Sequence, residues 1–247
     1  MGQPTSGKLR IRFSTYNIRN GHNGGLEAAL RGMSQANMDL VILQETKLTD
    51  GIYTRGLAEY SIAATDAPSR HRSSVAIFCR LAPHFVVEAV QKFGPNVIRF
   101  QLATGARRWF IVVCYLAPDK TSTIERVVEA LRDRPNGVEL LVAGDLNINL
   151  AAPEGDKKEE DITITIPTEG LEDMAPHFLL QNLLWCRDRR MWGMLGKGRE
   201  VRSRTDYILV MDRCLFGNIS VWDPRHNLDH YMVLGCFTSG SLTEHKR

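Results

Sequence analysis

The sequence predicts an α/β sandwich. Apolar, β-branched runs of strand length recur throughout the chain, and in its first part amphipathic helical segments alternate with them. Strands dominate later, whereas a TIM barrel needs a helix after every strand. Because no change in composition marks a boundary, we expect one domain over residues 9–238, with a loose N-terminal leader (1–8) and a polar C-terminal tail (239–247).

The first elements alternate in type. Apolar and polar residues alternate over 9–17, which predicts a half-buried strand that ends near Asn17. Apolar residues then recur at helical spacing around 25–37, so we expect an amphipathic helix that returns the chain to a second strand at 40–43. This second strand ends shortly before Glu45.

The rest of the chain is mostly strands closed by turn residues. Pro118 follows the apolar run that ends at Tyr115, and Asn136-Gly137 precedes the run that leads to Asp145. Such patterns predict further strands near 74–79, 85–91, 97–103, 108–115, 138–142, 201–211 and 231–237, and helices over 122–134 and 171–184.

Composition is that of a globular protein. Hydrophobic residues make up 43% and charged residues 24%, which excludes disordered and collagen-like classes. Apolar runs such as 110–114 are far too short to cross a bilayer, and the polar N-terminus lacks the apolar core of a signal peptide. Five cysteines without a C-x-x-C pair indicate free thiols in a reducing compartment. We therefore expect an intracellular protein without a membrane partner.

Positive charge is concentrated late in the chain. The formal net charge is only +3, but residues 187–204 contain seven basic residues against two acidic ones, beside Trp185 and Trp192. A solvated basic loop would look the same. Because the segment leads directly into one of the polar fragments described next, we favour a phosphate-binding surface. The candidate nucleic-acid contacts are Arg190, Trp192, Arg202 and Arg204.

Five polar fragments lie at residues 15–19, 43–46, 144–147, 205–209 and 229–230, and most of them begin or end an apolar run. Strands that end at one edge of a sheet can bring such fragments into one site. The fragments contribute carboxylates, carboxamides and one imidazole. Because Mg²⁺ prefers oxygen ligands and usually takes only one or two protein carboxylates, this set suits metal-assisted hydrolysis of a phosphate ester.

Each fragment alone also has an ordinary structural explanation. Gly-Asp-x-Asn at 144–147 is common in β-turns, and an acid such as Glu45 or Asp206 often ends a strand at the surface. A tyrosine such as Tyr115 at the end of a buried strand usually packs in the core. The functional interpretation therefore depends on the five fragments together.

In their order and spacing, these fragments resemble the endonuclease/exonuclease/phosphatase superfamily, which includes exonuclease III and the apurinic endonucleases. The resemblance covers nearly the whole chain and implies a DNase I-like fold, a four-layer α/β sandwich of two packed mixed β-sheets flanked by helices. Within the superfamily, the chain looks most like the endonuclease domain of non-LTR (LINE-type) retrotransposons. That similarity lies in residues 16–19, 43–46, 114–118, 144–149, 169–183 and 203–209.

The resemblance implies a role for each side chain of the fragments. Glu45 binds Mg²⁺, with Mn²⁺ as an alternative, and Asp145 orients and deprotonates the attacking water. Asn147 holds the scissile phosphate, and Asp206 accepts a hydrogen bond from His230 near the phosphate. Three further residues complete the site: Asp229 as a second metal or water-positioning carboxylate, Asn17 as the group that orients Glu45 and contacts phosphate, and Tyr115 as a proton donor.

Two positions depart from the family pattern. Leu228 stands where the family usually has a serine before Asp-His, and Met191 stands in a loop where the family tends to have a threonine. Losing one polar contact in a preorganised site costs about 1–3 kcal/mol, or roughly one to two orders of magnitude in rate. We therefore expect weakened rather than absent activity.

The leading hypothesis is a Mg²⁺-dependent phosphodiester hydrolase that nicks DNA, as in a non-LTR retrotransposon. Two alternatives remain open: a phosphatase or deadenylase of the same superfamily, and a catalytically weakened DNA-binding remnant. Because DNA is the expected partner, we expect the protein in the nucleus. We also expect a monomer, and a reverse transcriptase is a candidate for a further part of a longer protein.

Overall fold

The structure is a computed structural model in which two six-stranded sheets form the centre of the fold. It describes residues 9–19, 24–47, 60–65, 74–82, 85–104, 107–116, 122–147, 172–173, 186–187, 202–203, 206–211, 216–222, 230 and 232–239. In chain order the elements are β1 (Leu9–Asn17), α1 (Leu26–Ala36), β2 (Leu40–Gln44), β3 (Tyr60–Ala64), β4 (Ala76–Arg80), β5 (Phe85–Lys92), β6 (Val97–Thr104), β7 (Arg107–Tyr115), α2 (Ser122–Arg132), β8 (Glu139–Asp145), β9 (Glu172–Asp173), β10 (Cys186–Arg187), β11 (Arg202–Ser203), β12 (Asp206–Val210), β13 (Phe216–Trp222) and β14 (Met232–Ser239).

Both large sheets are mixed. The first has the order β13-β14-β1-β2-β4-β3, and the second has the order β5-β6-β7-β8-β12-β9. One neighbouring pair in each sheet is parallel, β1 with β2 and β7 with β8, and the other pairs are antiparallel. A parallel pair needs a crossover, which α1 and α2 supply. β10 and β11 form a separate two-stranded sheet.

The side chains form three apolar clusters that define four layers. Between the sheets, Phe13 and Phe237 of the first sheet belong to one cluster with Trp109 and Ile111 of the second. The outer face of the first sheet packs on α1, and that of the second sheet packs on α2. The predicted four-layer α/β sandwich of two packed mixed sheets is confirmed.

The two helices pack on the sheets through their apolar faces. Met33 of α1 is buried with Tyr16 and Phe78 of the first sheet. Leu131 of α2 is buried with Phe110 of the second sheet. Each helix has 11 residues. Within the described residues no helix is long and apolar enough to cross a membrane.

Most predicted elements agree with the structure, but two do not. The helix expected over 171–184 is wrong at its start, because Glu172–Asp173 form β9 and pair with Leu209 and Val210 of β12. Backbone pairing with β12 here overrides helical spacing. Residues 174–185 lie outside the described part of the chain. The strand expected over 201–211 contains two separate strands, β11 and β12.

Two strands of the first sheet were not predicted from the sequence. β3 carries Ser61 within a short apolar run, and β13 contains Gly217 and Asn218, residues that are poor strand formers. Both strands form by pairing with a neighbour, β4 and β14 respectively. Ser239, expected in the tail, is the last residue of β14 and pairs with Leu9. Residues 1–8 and 240–247 lie outside the described residues.

Candidate active site

Strand register aligns three polar side chains at one end of the second sheet. Asp145, the last residue of β8, is the partner of Tyr115, the last residue of the parallel strand β7. It is also the partner of Asp206, the first residue of the antiparallel strand β12. In the first sheet, Asn17 and Gln44 end β1 and β2 as partners.

Alternation along the strands directs these side chains towards the space between the sheets. Ala143 and Ile208 belong to the cluster between the sheets, and Asp145 and Asp206 lie two residues from them in the strand. Tyr115 is itself a member of that cluster. The polar groups therefore lie at the end of the apolar layer, where both Asp145 and Asp206 are fully buried.

Left-handed backbone conformations occur where the chain leaves these strands. Glu45 has φ 50° and Asn147 has φ 51°, and neither residue is a glycine. Gly144 has φ 151°, and a Cβ atom there would lie 1.8 Å from the Cys114 carbonyl oxygen. For the two non-glycine residues such conformations cost roughly 1–3 kcal/mol each and persist where the surroundings enforce them, which is common at functional sites.

Asn17 connects the two sheets through its carboxamide. Its Nδ2 atom donates to Glu45 Oε1 at 2.9 Å and to Asp145 Oδ2 at 2.8 Å. Its Oδ1 atom accepts from the backbone N–H of Arg19 at 2.8 Å. One amide group therefore holds two carboxylates next to each other, that of Glu45 directly after β2 in the first sheet and that of Asp145 at the end of β8 in the second.

Asp145 titrates far from its ordinary range. Burial and the neighbouring Asp206 carboxylate raise its pKa from 3.8 to about 7, against the opposing effects of His230, of the Asn17 hydrogen bond and of the Asn147 backbone N–H. A carboxylate that exchanges its proton near neutral pH is suited to general base catalysis.

His230 is oriented by Asp206. The His230 Nδ1 atom lies 2.8 Å from Asp206 Oδ2, and its Nε2 atom lies 3.9 Å from Asp145 Oδ2. A carboxylate can only accept, so Nδ1 carries the proton in this pair. The ring is thus held with Nε2 directed at Asp145.

Tyr115 remains protonated. Burial, followed by the charges of Glu45 and Asp145, raises the pKa of its hydroxyl above the ordinary value of 10. A hydrogen bond to Glu45 also raises this pKa, whereas one from Asn147 lowers it. Tyr115 is therefore a donor at neutral pH.

Asn147 closes the turn after β8. Its backbone N–H donates to Asp145 Oδ1 and its Nδ2 atom to the Leu116 carbonyl, each at 2.9 Å. The Leu116 N–H in turn donates to the Asp145 carbonyl at 2.9 Å. These bonds restrict the Asp145 carboxylate to one orientation.

The donor set fits a hard divalent cation. Ligand atoms of Asp145, Asp206 and His230 lie within 4.8 Å of one another, and Glu45 is joined to Asp145 through Asn17. Crowding of carboxylates is one cause of the raised pKa of Asp145, and a cation would relieve it. Oxygen-rich sites of this kind suit Mg²⁺ or Mn²⁺.

The structure brings together seven side chains that the sequence singled out: Asn17, Glu45, Tyr115, Asp145, Asn147, Asp206 and His230. Arg202 lies in β11, in the separate two-stranded sheet. Asp229, Arg190, Trp192 and Arg204, together with Leu228 and Met191, lie outside the described residues.

Sequence reasoning missed one side chain of this site. Lys47 Nζ lies 3.7 Å from Glu45 Oε2. The available signal was its position, since Lys47 follows the 43–46 fragment directly. A basic residue two positions after a candidate metal ligand belongs to the same turn.

A family comparison agrees with this geometry. The model of the endonuclease/exonuclease/phosphatase family matches residues 14–235, which is most of the chain. The chain belongs to this family. The superfamily expected from the sequence is thereby confirmed, and its members are phosphodiester hydrolases that generally use a divalent metal ion. No curated protein matches this family member significantly.

Solved structures similar to this family member share its fold. The AP endonuclease LMAP from Leishmania major has a TM-score of 0.74 at 16% identity, over 94% of this chain and 88% of that one. The endonuclease domain of TRAS1, a telomere-specific non-LTR retrotransposon, has a TM-score of 0.71 at 18% identity, over 93% and 98%. The 3′ phosphatase NExo from Neisseria, bound to a product DNA hairpin, has a TM-score of 0.69 at 17% identity, over 92% and 99%.

Proposed function

We propose that the chain is a divalent-metal-dependent endonuclease that nicks DNA, the activity of a non-LTR retrotransposon endonuclease domain. The observation that carries the proposal is the bridge from Glu45 through Asn17 to Asp145, with the Asp206–His230 pair beside it. The similar structures include a retrotransposon endonuclease domain and a phosphatase bound to DNA, which supports DNA as the substrate.

In this proposal Glu45 is the principal metal ligand, and Asn17 orients its carboxylate. Asp229 is the second carboxylate that the resemblance implies. When bound, Mg²⁺ or Mn²⁺ supplies positive charge that neutralises the scissile phosphate.

Side chains of the protein carry out the remaining steps of the reaction. Asp145 removes the proton from the attacking water, because its Oδ2 atom is held by Asn17 and its pKa lies near neutral pH. As the new P–O bond forms, the P–O bond to the 3′ oxygen breaks, and that oxygen becomes a 3′-hydroxyl with the proton of Tyr115, which solvent then replaces. His230 donates a hydrogen bond to a phosphate oxygen through Nε2 when that nitrogen carries a proton in addition to Nδ1.

Asn147 holds both Asp145 and the phosphate in register. Its backbone N–H already bonds to Asp145, while its carboxamide lies at the Tyr115 hydroxyl. The basic residues Arg190, Arg202 and Arg204, with Trp192, are the proposed contacts to the DNA backbone. A nuclear monomer, linked to a reverse transcriptase in a longer protein, is the setting that this activity implies.

A 3′ phosphatase is the second candidate. One similar structure is a 3′ phosphatase bound to DNA, and the chemistry of Asp145 and His230 acts on the phosphate whichever group leaves. A DNA hairpin with a 3′-phosphate, incubated with enzyme and Mg²⁺, tests this candidate. Phosphate release without any plasmid nicking would replace the endonuclease proposal.

Nicking of supercoiled plasmid tests the main proposal. We expect purified protein to convert supercoiled plasmid to the open circular form with Mg²⁺, and excess EDTA to abolish the conversion because the phosphate charge is then no longer neutralised. Glu129→Gln, an exposed change on α2, is the control and retains wild-type activity. Protein that shifts DNA on a gel but leaves plasmid intact would establish the binding-only alternative.

The rate of nicking should depend on pH through Asp145. The base must be deprotonated, so the single-turnover rate is expected to rise as pH increases through about 7, or through a lower value when the cation is bound. Asp206→Asn removes a charge that raises the pKa of Asp145, so it should shift the midpoint of the rising limb to lower pH. Rates at constant ionic strength between pH 5 and 9 measure both effects. A flat profile over this range in both proteins would contradict the assignment of Asp145.

A further inference from the structure

The Glu45 carboxylate is surrounded by three donors. Asn17 donates to its Oε1 atom at 2.9 Å, the Tyr115 hydroxyl forms a hydrogen bond with it, and Lys47 Nζ lies 3.7 Å from its Oε2 atom. A cation bound by Glu45 therefore has to share this carboxylate with groups that are already there.

Two of the three donors are held in place. Asn17 bonds to Asp145 as well as to Glu45, and its other amide atom accepts from the Arg19 backbone. Tyr115 is buried at the end of a central strand. Withdrawal of either side chain from Glu45 would therefore break a hydrogen bond of a buried group.

Lys47 is the donor that can leave. Its distance of 3.7 Å exceeds that of a hydrogen bond, and its side chain is 23% exposed. A lysine side chain has four rotatable bonds and a strongly hydrated ammonium group. Lys47 can therefore turn from the carboxylate towards solvent or a phosphate without breaking a short hydrogen bond to Glu45.

The turn between these residues keeps them close. Glu45 and Lys47 both adopt left-handed backbone conformations, with φ 50° and 52°. Between them, Thr46 is buried, its N–H bonds to the Ser74 carbonyl at 3.0 Å, and its hydroxyl lies 2.6 Å from the Ser74 hydroxyl. The turn is thus tied to the neighbouring chain segment, and the ammonium group stays within reach of Oε2.

We propose that Lys47 is an internal counter-ion of Glu45 that a divalent cation must displace. The proposal rests on the proposed function only in taking Glu45 as a metal ligand. In the metal-free protein, Lys47 offsets one of the negative charges of Glu45, Asp145 and Asp206. A bound cation breaks this ion pair and then lies near a like charge, so Lys47 lowers the affinity of the site for the metal.

Direct Mn²⁺ binding without DNA tests the proposal, by electron paramagnetic resonance of free Mn²⁺ or by calorimetry. Removing the charge with Lys47→Met should tighten Mn²⁺ binding about three- to tenfold, as estimated for one partly exposed charge near a divalent ion. Lys47→Arg keeps the charge and should stay within about twofold of wild type. Arg108→Met is the matched control, because it removes an exposed positive charge near the opposite end of β7 and should change nothing.

A double variant tests whether Lys47 affects Mn²⁺ binding through its ion pair with Glu45. In Glu45→Gln protein the ion pair between residues 45 and 47 is lost, so adding Lys47→Met should tighten the remaining Mn²⁺ binding by a smaller factor than it does when Glu45 is present. Circular dichroism and thermal melting verify that each variant is folded. Unchanged or weaker Mn²⁺ binding by folded Lys47→Met protein would overturn the proposal. Weaker binding would mean that Lys47 instead orients Glu45 for the ion.

The outcome also distinguishes this proposal from the proposed function. Wild-type protein that binds Mn²⁺ and nicks plasmid, with no change in affinity for Lys47→Met, removes the counter-ion role and leaves the endonuclease. Wild-type protein that neither binds Mn²⁺ nor nicks removes both. If Lys47→Met binds Mn²⁺ more tightly but the wild-type protein does not nick plasmid, the counter-ion role is supported and the endonuclease proposal is overturned.

Discussion

Asp145→Asn is expected to lower DNA nicking by about a thousandfold or more, the usual contribution of a general base, and to stabilise the protein at the same time. The loss follows because a carboxamide cannot take the proton of the attacking water. The substitution keeps the size of the side chain and one of the two hydrogen bonds that its oxygens accept from Asn17 and from the Asn147 N–H. Single-turnover nicking with saturating Mg²⁺ measures the loss.

The gain in stability follows from the raised pKa of Asp145. Because its pKa is about 7 in the folded protein against an ordinary 3.8, its stabilising contribution is complete below about pH 4 and is lost as pH rises through 7. At pH 8 the buried charge costs up to roughly 4 kcal/mol, from about three pKa units at 1.36 kcal/mol each. The asparagine is neutral at every pH and avoids this cost.

Thermal melting without metal at pH 5 and pH 8 measures this gain. We expect the increase in Tm of Asp145→Asn over wild type to be larger at pH 8 than at pH 5. Glu129→Gln, which is exposed on α2, should show no such difference. A variant that is less stable than wild type at both pH values would show that the Asp145 hydrogen bonds outweigh the cost of burying its charge.

Gly144→Ala is expected to destabilise the protein by about 3 kcal/mol or more. The new Cβ atom would lie 1.8 Å from the Cys114 carbonyl oxygen, which belongs to the backbone of the neighbouring strand β7. Residue 144 also has φ 151°, a conformation that other residues rarely adopt. Moving β7 away from β8 would shift Tyr115 relative to Asp145, so we expect nicking to fall as well.

Gly137→Ala is the matched control for this prediction. Gly137 also has a positive φ, of 75°, but a Cβ atom there has nothing within 4 Å. This change should cost only the left-handed conformation of an alanine, about 1 kcal/mol, with activity retained. Urea denaturation of both variants gives the comparison. Equal losses of stability would mean that backbone conformation, not contact with Cys114, makes a glycine necessary at position 144.

The strands that carry the site were predictable because their signal is local. Residues 9–17 alternate between apolar and polar, 40–43 and 108–115 are mostly apolar, and these segments end at or next to Asn17, Gln44 and Tyr115. The structure has strands at all three places. The helix expected over 171–184 was wrong at its start because β9 exists through pairing with β12, a contact that helical spacing does not report.

The role of Lys47 was not predictable from the same fragments. Its charge was visible in the sequence, but its distance from Glu45 depends on two left-handed residues and on the anchoring of Thr46 by Ser74. Ser74 comes from a segment 28 positions further along the chain. Local pattern does not report such a contact.

The sequence by itself determined which residue types end the strands and therefore the class of chemistry, since alternation with a period of two is a local property. Only the tertiary structure decided that one amide of Asn17 joins Glu45 and Asp145, which lie 28 and 128 positions away from it. The physical reason is that these bonds depend on strand register and on the packing of one sheet against the other. Strand register and sheet packing arise from the burial of the whole core. The same packing buries the Asp145 carboxyl group and so raises its pKa.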